Sequence, residues 1–314
     1  MVFNEKYMLR CLQLAAKGRG RVAPNPMVGS VIVWNDSIIG EGYHRTYGES
    51  HAEVNAIASV KDVDLLKDST LYVNLEPCSH YGKTPPCADL IINKGIPRVV
   101  IGIQDPFPKV AGGGIKRLID AGIEVVVGVL EDACRELNKR FLVFHANHRP
   151  YIILKWAQSS DGFIDKLREV GDKQTPVKFS DDFTQILVHK LRAEENAIIV
   201  GKNTERLDSP LLTTRYWDGK NPVKIELDNN KTLSELMGEM YDLGWQSLIV
   251  EGGSRLLSSF IKEGLWDEAR IEIADFLLKD GVKAPAINGI IEDVQKYKNS
   301  VLLHYRNEIK PKNI

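Results

Sequence analysis

The sequence His51-Ala52-Glu53, followed by Pro77-Cys78 and later by Cys87, decides how the first half of the chain folds. One His and two Cys form a ligand set for zinc, and catalytic zinc has three protein ligands and a fourth position for water. Zinc lowers the pKa of such a water molecule towards neutrality. Glu53 follows the His by two residues and is not a ligand, so it can move protons beside the metal. This division of roles predicts a zinc deaminase site, with His51, Cys78 and Cys87 on the metal and Glu53 as the catalytic residue.

The spacing of the second Cys departs from the usual motif. Zinc deaminases normally read Pro-Cys-x-x-Cys, whereas residues 79–86 separate Cys78 from Cys87 here. Because an insertion between two ligands lies beside the metal, its polar side chains are predicted to line a substrate pocket. Two alternatives stay open. A closed structural zinc site would need a fourth ligand, which His44 or His80 could supply. Two buried core cysteines with an unrelated His would leave the motif unexplained.

Length and composition limit the class of protein. A chain of 314 residues predicts two domains. The formal net charge of −1 argues against a nucleic-acid partner, which normally requires a basic face. The start has no basic segment before an apolar run, and no apolar stretch reaches membrane-spanning length. Of the four cysteines, Cys11 and Cys134 are predicted to be buried thiols in helices. This usage is typical of a cytoplasmic protein.

Hydrophobic periodicity predicts alternating helices and strands in the first half. Such alternation predicts a sheet that is covered by helices on both faces. The domain boundary is placed near His148-Arg149-Pro150, which gives domains 1–147 and 148–314. The predicted helices are 7–16, 51–60, 87–93, 115–121 and 131–144, and the strands are 28–34, 38–43, 70–75, 98–103 and 125–129.

The second half contains a strand that turns into a helix through Glu251-Gly252-Gly253-Ser254. Glycines let the backbone approach a phosphate, and a helix N-terminus offers free N–H groups to it. The same turn is also ordinary strand-to-helix geometry, and it is not the Gly-x-Gly-x-x-Gly dinucleotide fingerprint. The predicted strands of this half are 151–156, 197–201, 247–250, 269–274 and 300–305, and the helices are 181–193 and 255–262.

Several motifs together resemble the bifunctional riboflavin biosynthesis deaminase/reductase. In the first half they are Ala23-Pro24-Asn25-Pro26-Met27-Val28-Gly29, Gly42-Tyr43-His44 and the His51 to Cys87 pattern, and the likeness runs from Tyr7 to about Leu130. In the second half they are 154–162, Leu191-Arg192-Ala193, 197–201, 208–215 and Val250-Glu251-Gly252-Gly253.

The resemblance implies a fold and an activity. The fold would be a three-layer αβα cytidine-deaminase-like domain followed by a dihydrofolate-reductase-like α/β domain. The first would deaminate 2,5-diamino-6-ribosylamino-4(3H)-pyrimidinone 5′-phosphate with Zn²⁺. The second would reduce the ribosyl group with NADPH, giving 5-amino-6-(5-phosphoribitylamino)uracil. The family also implies a homo-oligomer.

Site residues follow from the same resemblance. The deaminase substrate would contact Asn25, His44, Ser79, His80 and Lys83. NADPH would contact Ala157, Thr204, Asp208, Gly253, Ser254, Arg255, Leu256, Leu257, Ser258 and Ser259. The reductase substrate would contact Arg192, Leu212, Arg215 and Glu251. Guanidinium groups such as those of Arg192 and Arg215 suit a phosphate, because they donate paired charge-assisted hydrogen bonds.

Two departures from the family bear on the substrate and cofactor contacts of the second half. Pro176-Val177-Lys178-Phe179-Ser180 replaces an aromatic-containing segment, and residues 222–228 run almost directly into Thr232, where the family has a longer stretch. A true deletion of that stretch would threaten NADPH binding and would suit a monofunctional deaminase with a degenerate reductase-like domain, whereas the omission of a disordered segment from the sequence would not. A more distant alternative is an RNA-acting protein on the zinc deaminase fold, which predicts salt-sensitive RNA binding.

Overall fold

The computed structural model describes residues 4–81, 85–106, 112–168, 175–227 and 230–308. The chain divides into two compact units, Met1–Ala146 and Asn147–Ile314. Within the described ranges, every helix is too short or too polar to span a membrane. All four cysteines are free thiols, and Cys11 and Cys134 are buried in helices, as predicted.

The first unit is built on a five-stranded sheet in the order β2-β1-β3-β4-β5. The first three strands pair in antiparallel fashion, while β3, β4 and β5 run parallel. Its strands are β1 (Gly29–Trp34), β2 (Ser37–Tyr43), β3 (Thr70–Leu75), β4 (Arg98–Ile103) and β5 (Glu124–Val127), and its helices are α1 (Glu5–Ala16), α2 (Ala52–Ala58), α3 (Cys87–Asn93), α4 (Gly113–Asp120), α5 (Glu131–Leu137) and α6 (Lys139–Asn147), with a 3-10 turn at Val63–Asp68.

Helices cover both faces of this sheet. Side chains of α1, α5 and α6, including Met8 and Phe141, pack with Val31 and Val100 on one face. Side chains of α2, α3 and α4 pack with Ile32 and its neighbours on the other face. The predicted three-layer αβα arrangement is confirmed.

The predicted helix 131–144 was wrong in one respect, since the structure has two helices separated at Asn138. Asn138 is buried, and its side-chain amide bonds both backbone groups of Met27: Oδ1 accepts from the N–H at 2.8 Å and Nδ2 donates to the carbonyl at 2.9 Å. A side chain that satisfies distant backbone groups can override a continuous helical pattern.

The second unit is built on a seven-stranded sheet in the order β13-β14-β11-β6-β10-β8-β9, with β12 and β7 forming a separate pair. The strands from β11 to β9 are parallel, and β14 and β13 are antiparallel additions. Its strands are β6 (Tyr151–Ser159), β7 (Phe163–Asp165), β8 (Ala197–Val200), β9 (Val223–Ile225), β10 (Ser247–Glu251), β11 (Glu268–Ala274), β12 (Val282–Lys283), β13 (Ile290–Lys296) and β14 (Ser300–Arg306), and its helices are α7 (Asp182–Glu194), α8 (Lys202–Asp208), α9 (Leu233–Asp242) and α10 (Ser254–Lys262).

The two faces of the second sheet differ in character. Met237 of α9 and Phe260 of α10 pack against Leu154 and Val250 in the main core. Because side chains alternate along a strand, Lys155 and Glu251 point to the opposite face. Arg192 of α7 lies on that opposite face, where it pairs with Glu251.

Candidate active sites

The first turn of α2 carries two of the predicted residues, His51 as N-cap and Glu53 inside the helix. This turn lies against Gly42 of β2 at a distance that leaves no room for a side chain. A Cβ on Gly42 would lie 2.3 Å from the Ala56 nitrogen and 2.5 Å from the Ala52 oxygen. The glycine of the Gly42-Tyr43-His44 motif therefore fixes where α2 presents its first turn.

The loop before Cys78 is held by the carboxylate of Glu76. This buried carboxylate accepts backbone hydrogen bonds from Asp105, Gly112, Gly114 and Ile115 at 2.8 to 3.1 Å. The start of α4 thereby contacts the Glu76-Pro77 segment so closely that a Cβ on Gly114 would lie 1.9 Å from the Pro77 oxygen. These contacts set the direction in which the chain enters Cys78.

His51, Cys78 and Cys87 meet as a three-residue cluster whose ligand atoms all lie within 4.8 Å of one another. His51 Nδ1 is 3.6 Å from Cys78 Sγ and 3.3 Å from Cys87 Sγ. Tetrahedral zinc, with its usual bond lengths to nitrogen and sulfur, requires such pairs to be about 3.5 Å apart. The donor set and its spacing fit zinc.

The closed structural site is not supported by the described residues. Their metal-capable cluster includes neither His44 nor His80. His80 is exposed, and both ring nitrogens of His44 have other partners. Three protein ligands with an open position are the arrangement of a catalytic zinc.

The three ligands of the cluster differ in charge state: the neighbouring Cys78 and burial raise the pKa of the Cys87 thiol well above its usual value, so a metal that binds there must displace its proton. The side chain of Cys87 and His51 lower the pKa of the Cys78 thiol to about 4, so that it is a thiolate near neutral pH. The hydrogen bond to Cys78 in turn raises the pKa of His51. Burial raises the pKa of Glu53 to about 7, with the Cys78 charge adding to the effect. Glu53 is only 3% exposed and also contacts Cys87, which places a proton carrier beside the ligands.

Asn25 and His44 form a hydrogen-bonded pair next to the cluster. His44 Nδ1 lies 3.1 Å from the Ser50 carbonyl, and His44 Nε2 lies 3.0 Å from Asn25 Nδ2. Since the carbonyl can only accept, Nδ1 carries the proton and Nε2 accepts from the Asn25 amide. This fixes the amide orientation of Asn25, and the ring of His44 packs edge-on against His51 at 5.7 Å.

The insertion between the cysteines is only partly described. Ser79 is half-buried beside Cys78, and its carbonyl accepts a hydrogen bond from Arg117 at 3.1 Å. Arg117 also pairs with Asp89 at 2.6 Å, which anchors the insertion to α3 and α4. His80 points to solvent, and Lys83 lies outside the described residues.

The second unit contains a cavity of about 1110 Å³ at the ends of its parallel strands. Ligands of open α/β sheets bind at such an edge. Of the predicted cofactor and substrate residues, the cavity is lined by Ala157, Thr204, Asp208, Gly253, Ser254, Arg255, Leu256, Ser259, Arg192, Leu212, Arg215 and Glu251. The lining does not include Leu257, which is fully buried in the core, or Ser258, which is exposed.

The two arginines predicted for a phosphate differ in their surroundings. Arg192 makes a two-point ion pair with Glu251, at 3.1 Å and 2.8 Å, and also donates to the Thr213 carbonyl at 3.3 Å. Its fork is therefore occupied by a protein carboxylate. Arg215 is exposed at the cavity, with Nη1 3.3 Å from the Thr213 hydroxyl. Arg215 is the better placed of the two to meet a ligand phosphate.

The structure adds residues that the sequence analysis missed. Lys155 lies next to Glu251 in the β6–β10 register and lines the cavity. A charged residue within the apolar run of residues 151–156 was the signal that could have found it. Arg168, also in the lining, forms ion pairs with Asp165 and with Asp208, the latter at 2.9 Å. Pro176, Val177 and Phe179 from the divergent segment also line the cavity.

The zinc-ligand cluster, the second cavity and the family models together define a class of enzyme: a zinc-dependent deaminase domain joined to a reductase domain. Family models agree with this division. The cytidine and deoxycytidylate deaminase zinc-binding region matches residues 1–103, and the RibD C-terminal domain matches residues 150–234 and 230–289. The two pieces of the second match meet where the sequence analysis found a shortened stretch.

Relatives match along nearly the whole chain. Riboflavin biosynthesis protein RibD of Aquifex aeolicus is 37% identical over 344 residues, which covers 95% of each chain. The Escherichia coli K12 protein of that name is 44% identical over 331 residues, 88% of each chain. A crystal structure of a diaminohydroxyphosphoribosylaminopyrimidine deaminase/5-amino-6-(5-phosphoribosylamino)uracil reductase from Thermotoga maritima superposes with a TM-score of 0.86 at 33% identity, covering 96% of this chain and 98% of the other.

The chain therefore belongs to the RibD family of bifunctional riboflavin biosynthesis enzymes. It is a deaminase and a reductase, with Zn²⁺ and NADPH as cofactors, and its domains have the predicted folds.

Proposed function

We propose that residues 1–147 form a domain that deaminates diaminohydroxyphosphoribosylaminopyrimidine, the 2,5-diamino-6-ribosylamino-4(3H)-pyrimidinone 5′-phosphate of the sequence analysis. Residues 148–314 form a domain that reduces the product, 5-amino-6-(5-phosphoribosylamino)uracil, with NADPH. The observation that carries the proposal is the buried Glu53 beside the cluster of three metal-ligating side chains found among the described residues. The order of steps follows from the substrates, because the uracil ring of the second is the product of the first.

In the first domain, His51, Cys78 and Cys87 hold the metal. When bound, Zn²⁺ lowers the pKa of a water molecule so that it can add to the amine-bearing ring carbon. Glu53 accepts the proton released from water and returns it to the departing nitrogen, which leaves as ammonia. Burial favours the protonated form of this carboxyl, which suits a group that must return a proton as well as accept one. The net change is addition of water and loss of ammonia.

Substrate recognition in this domain begins with Asn25. Because its Nδ2 donates to His44, its Oδ1 is oriented to accept from a ring N–H of the pyrimidine. His44 acts as a neutral support, since burial lowers its pKa. Ser79, His80 and Lys83 belong to the insertion beside the ligands and are the proposed contacts to the rest of the substrate.

In the second domain, NADPH supplies a hydride when bound, and the protein positions the ribosyl carbon to receive it. Hydride addition to that carbon breaks its bond to the ring oxygen, which must take up a proton. Lys155 is the proposed donor, because it is the cation next to Glu251 at the substrate end of the cavity. Arg215 binds the substrate phosphate, while Arg192 orients Glu251.

The cofactor occupies the part of the cavity near α8 and α10. Thr204 and Gly252 lie close there, since a Cβ on Gly252 would be 3.2 Å from Thr204 Oγ1. The backbone N–H groups at the start of α10 suit the pyrophosphate. Ala157, Asp208, Gly253, Ser254, Arg255, Leu256 and Ser259 complete the proposed contacts. An intact cavity of this size favours an active reductase over a degenerate one.

The cellular location, the oligomeric state and the class of substrate are also inferred. Free thiols suit a reducing compartment, so we place the enzyme in the cytoplasm, acting on a small molecule as a homo-oligomer. The near-neutral net charge disfavours RNA as substrate.

Paired assays test the proposal. Zinc-loaded protein should release ammonia from the diaminopyrimidine phosphate without NADPH, and should oxidise NADPH only when the deaminated product is supplied or formed. Ammonia release without any NADPH oxidation would support the degenerate reductase. A metal-replete protein that releases no ammonia would contradict the assignment of His51, Glu53, Cys78 and Cys87.

A further inference from the structure

We propose that His189 is a positioning residue of the reductase, which holds the loop 213–219 so that Arg215 meets the substrate phosphate. The inference rests on the proposed function, because it takes Arg215 as the phosphate contact. Two side chains of α7 contact the backbone of this loop, one on each side of the exposed Arg215.

The first contacts come from His189 itself, which is only 2% exposed on the inner side of α7. Its Nδ1 accepts the backbone N–H of Tyr216 at 3.3 Å, and its ring packs against the Tyr216 ring at 4.7 Å. The imidazole also hydrogen-bonds the backbone of Thr214. An imidazole that accepts at Nδ1 must be neutral. Burial and the nearby charges of Arg192 and Arg215 keep it so, since they lower its pKa to about 4.

The second contact comes from Arg192, one helical turn further along α7. Its Nη1 donates to the Thr213 carbonyl at 3.3 Å, while the same guanidinium is fixed by Glu251. The backbone is therefore held at Thr213 and at Tyr216, and Arg215 lies between the two points. Arg215 lines the cavity and is exposed there.

Contacts within the loop add stiffness. The Thr214 N–H donates to Asn221 Oδ1 at 2.9 Å, and its hydroxyl donates to the Gly219 carbonyl at 3.1 Å. Gly219 lies directly on α7, where a Cβ would be 2.6 Å from the Ala193 Cβ. The cation is thus presented on a backbone that is fixed before the ligand arrives, which reduces the entropy lost on binding.

Kinetics of three variants test the role of His189. His189→Leu removes the acceptor for the Tyr216 N–H, so the loop no longer holds Arg215 in place. The KM for the ribosylamino phosphate should then rise about tenfold, which corresponds to the loss of one hydrogen bond between Arg215 and the charged phosphate. The value of kcat and the KM for NADPH should change less than about twofold, because the cofactor lies elsewhere in the cavity. His189→Asn keeps an acceptor near the Nδ1 position and should recover most of the loss. Gly219→Ala disturbs the same loop from the α7 side and should raise the same KM.

A double-mutant cycle separates positioning from general support. If His189 acts through Arg215, then His189→Leu and Gly219→Ala should have no further effect on KM in an Arg215→Met background. Ammonia release by the first domain provides a folding control in every variant.

The outcomes distinguish the inference from the function on which it rests. An Arg215→Met variant with an unchanged KM contradicts the phosphate role of Arg215 itself. The positioning role alone is overturned if Arg215→Met raises the KM but His189→Leu and Gly219→Ala leave it unchanged. It is also overturned if the effects of His189→Leu and Gly219→Ala add to that of Arg215→Met.

Discussion

Arg192 of α7 and Glu251 at the end of β10 form a two-point ion pair, with Nε–Oε1 at 3.1 Å and Nη2–Oε2 at 2.8 Å. Both side chains are nearly buried, with exposures of 11% and 9%. The pair joins the helix to the sheet at the cavity wall. It also explains why a carboxylate stays charged in a buried position: Lys155 and Arg192 outweigh the cost of burial and lower the pKa of Glu251.

Breaking this pair on one side should destabilise the second domain. Glu251→Gln leaves the buried Arg192 without its counter-charge, which costs about 3 kcal/mol of unfolding free energy. The double variant Arg192→Met, Glu251→Gln should lose less, because the buried guanidinium is removed together with its counter-charge. Urea unfolding followed by a probe in the second domain measures both. A double variant less stable than Glu251→Gln would contradict this account of the pair.

Glu53→Gln should separate metal binding from proton transfer. The variant keeps the shape of the side chain and all three ligands, so the zinc content should stay at one per chain. Ammonia release should fall by about 10² to 10⁴, the usual contribution of a general acid–base group. Metal analysis measures the zinc content of the variant, and an ammonia assay measures its turnover. Full turnover in the variant would remove Glu53 from the mechanism.

Metal removal should affect only one of the two activities. Chelation, or the variant Cys87→Ser, should abolish ammonia release and lower the melting temperature of the first domain, since bound metal stabilises the folded state. Reduction of supplied deaminated substrate should continue, because the second cavity uses no cluster of His and Cys among its described lining residues. Loss of reduction on chelation would show that the two activities depend on one metal.

Acid should destabilise the second domain through His189. Its folded-state pKa is about 4, below the ordinary value of 6.5. The unfolded state therefore binds a proton first as pH falls, and stability is lost between about pH 6.5 and pH 4, by about 3 kcal/mol in total. His189→Asn should flatten this part of the stability profile in urea titrations at several pH values. A wild-type profile as flat as that of the variant would contradict the neutral, buried state of His189.

Much of the fold could be predicted because local patterns agreed with the tertiary structure. Strands 70–75 and 98–103 and the helix 87–93 have the predicted bounds, since each is bounded by clear turn or proline signals. The edge strand β13 was missed because its residues are mostly exposed and show no alternation. The helix α9 was also missed, although its capping box, Thr232 with Glu235, is a readable start signal.

The two sites differ in how far the sequence determines them. The zinc ligands and Glu53 have residue types and spacing that allow few alternatives, and the structure brings the ligands together as expected. The pairing of Arg192 with Glu251 could not be predicted from the sequence, because the two residues are far apart in the chain and meet only through the packing of α7 on the sheet. The same holds for His189, whose contact with Tyr216 depends on a loop that returns to the helix.

The most direct measurement is the mass spectrum of the product formed by the zinc-loaded enzyme in H₂¹⁸O with NADPH that carries deuterium at both C4 positions. Hydrolytic deamination followed by hydride transfer predicts one ¹⁸O atom on the ring and one deuterium on the ribityl chain of the same molecule. A product that lacks ¹⁸O would contradict attack by water at the zinc site. One that carries ¹⁸O but never deuterium would contradict the reductase assigned to the second domain.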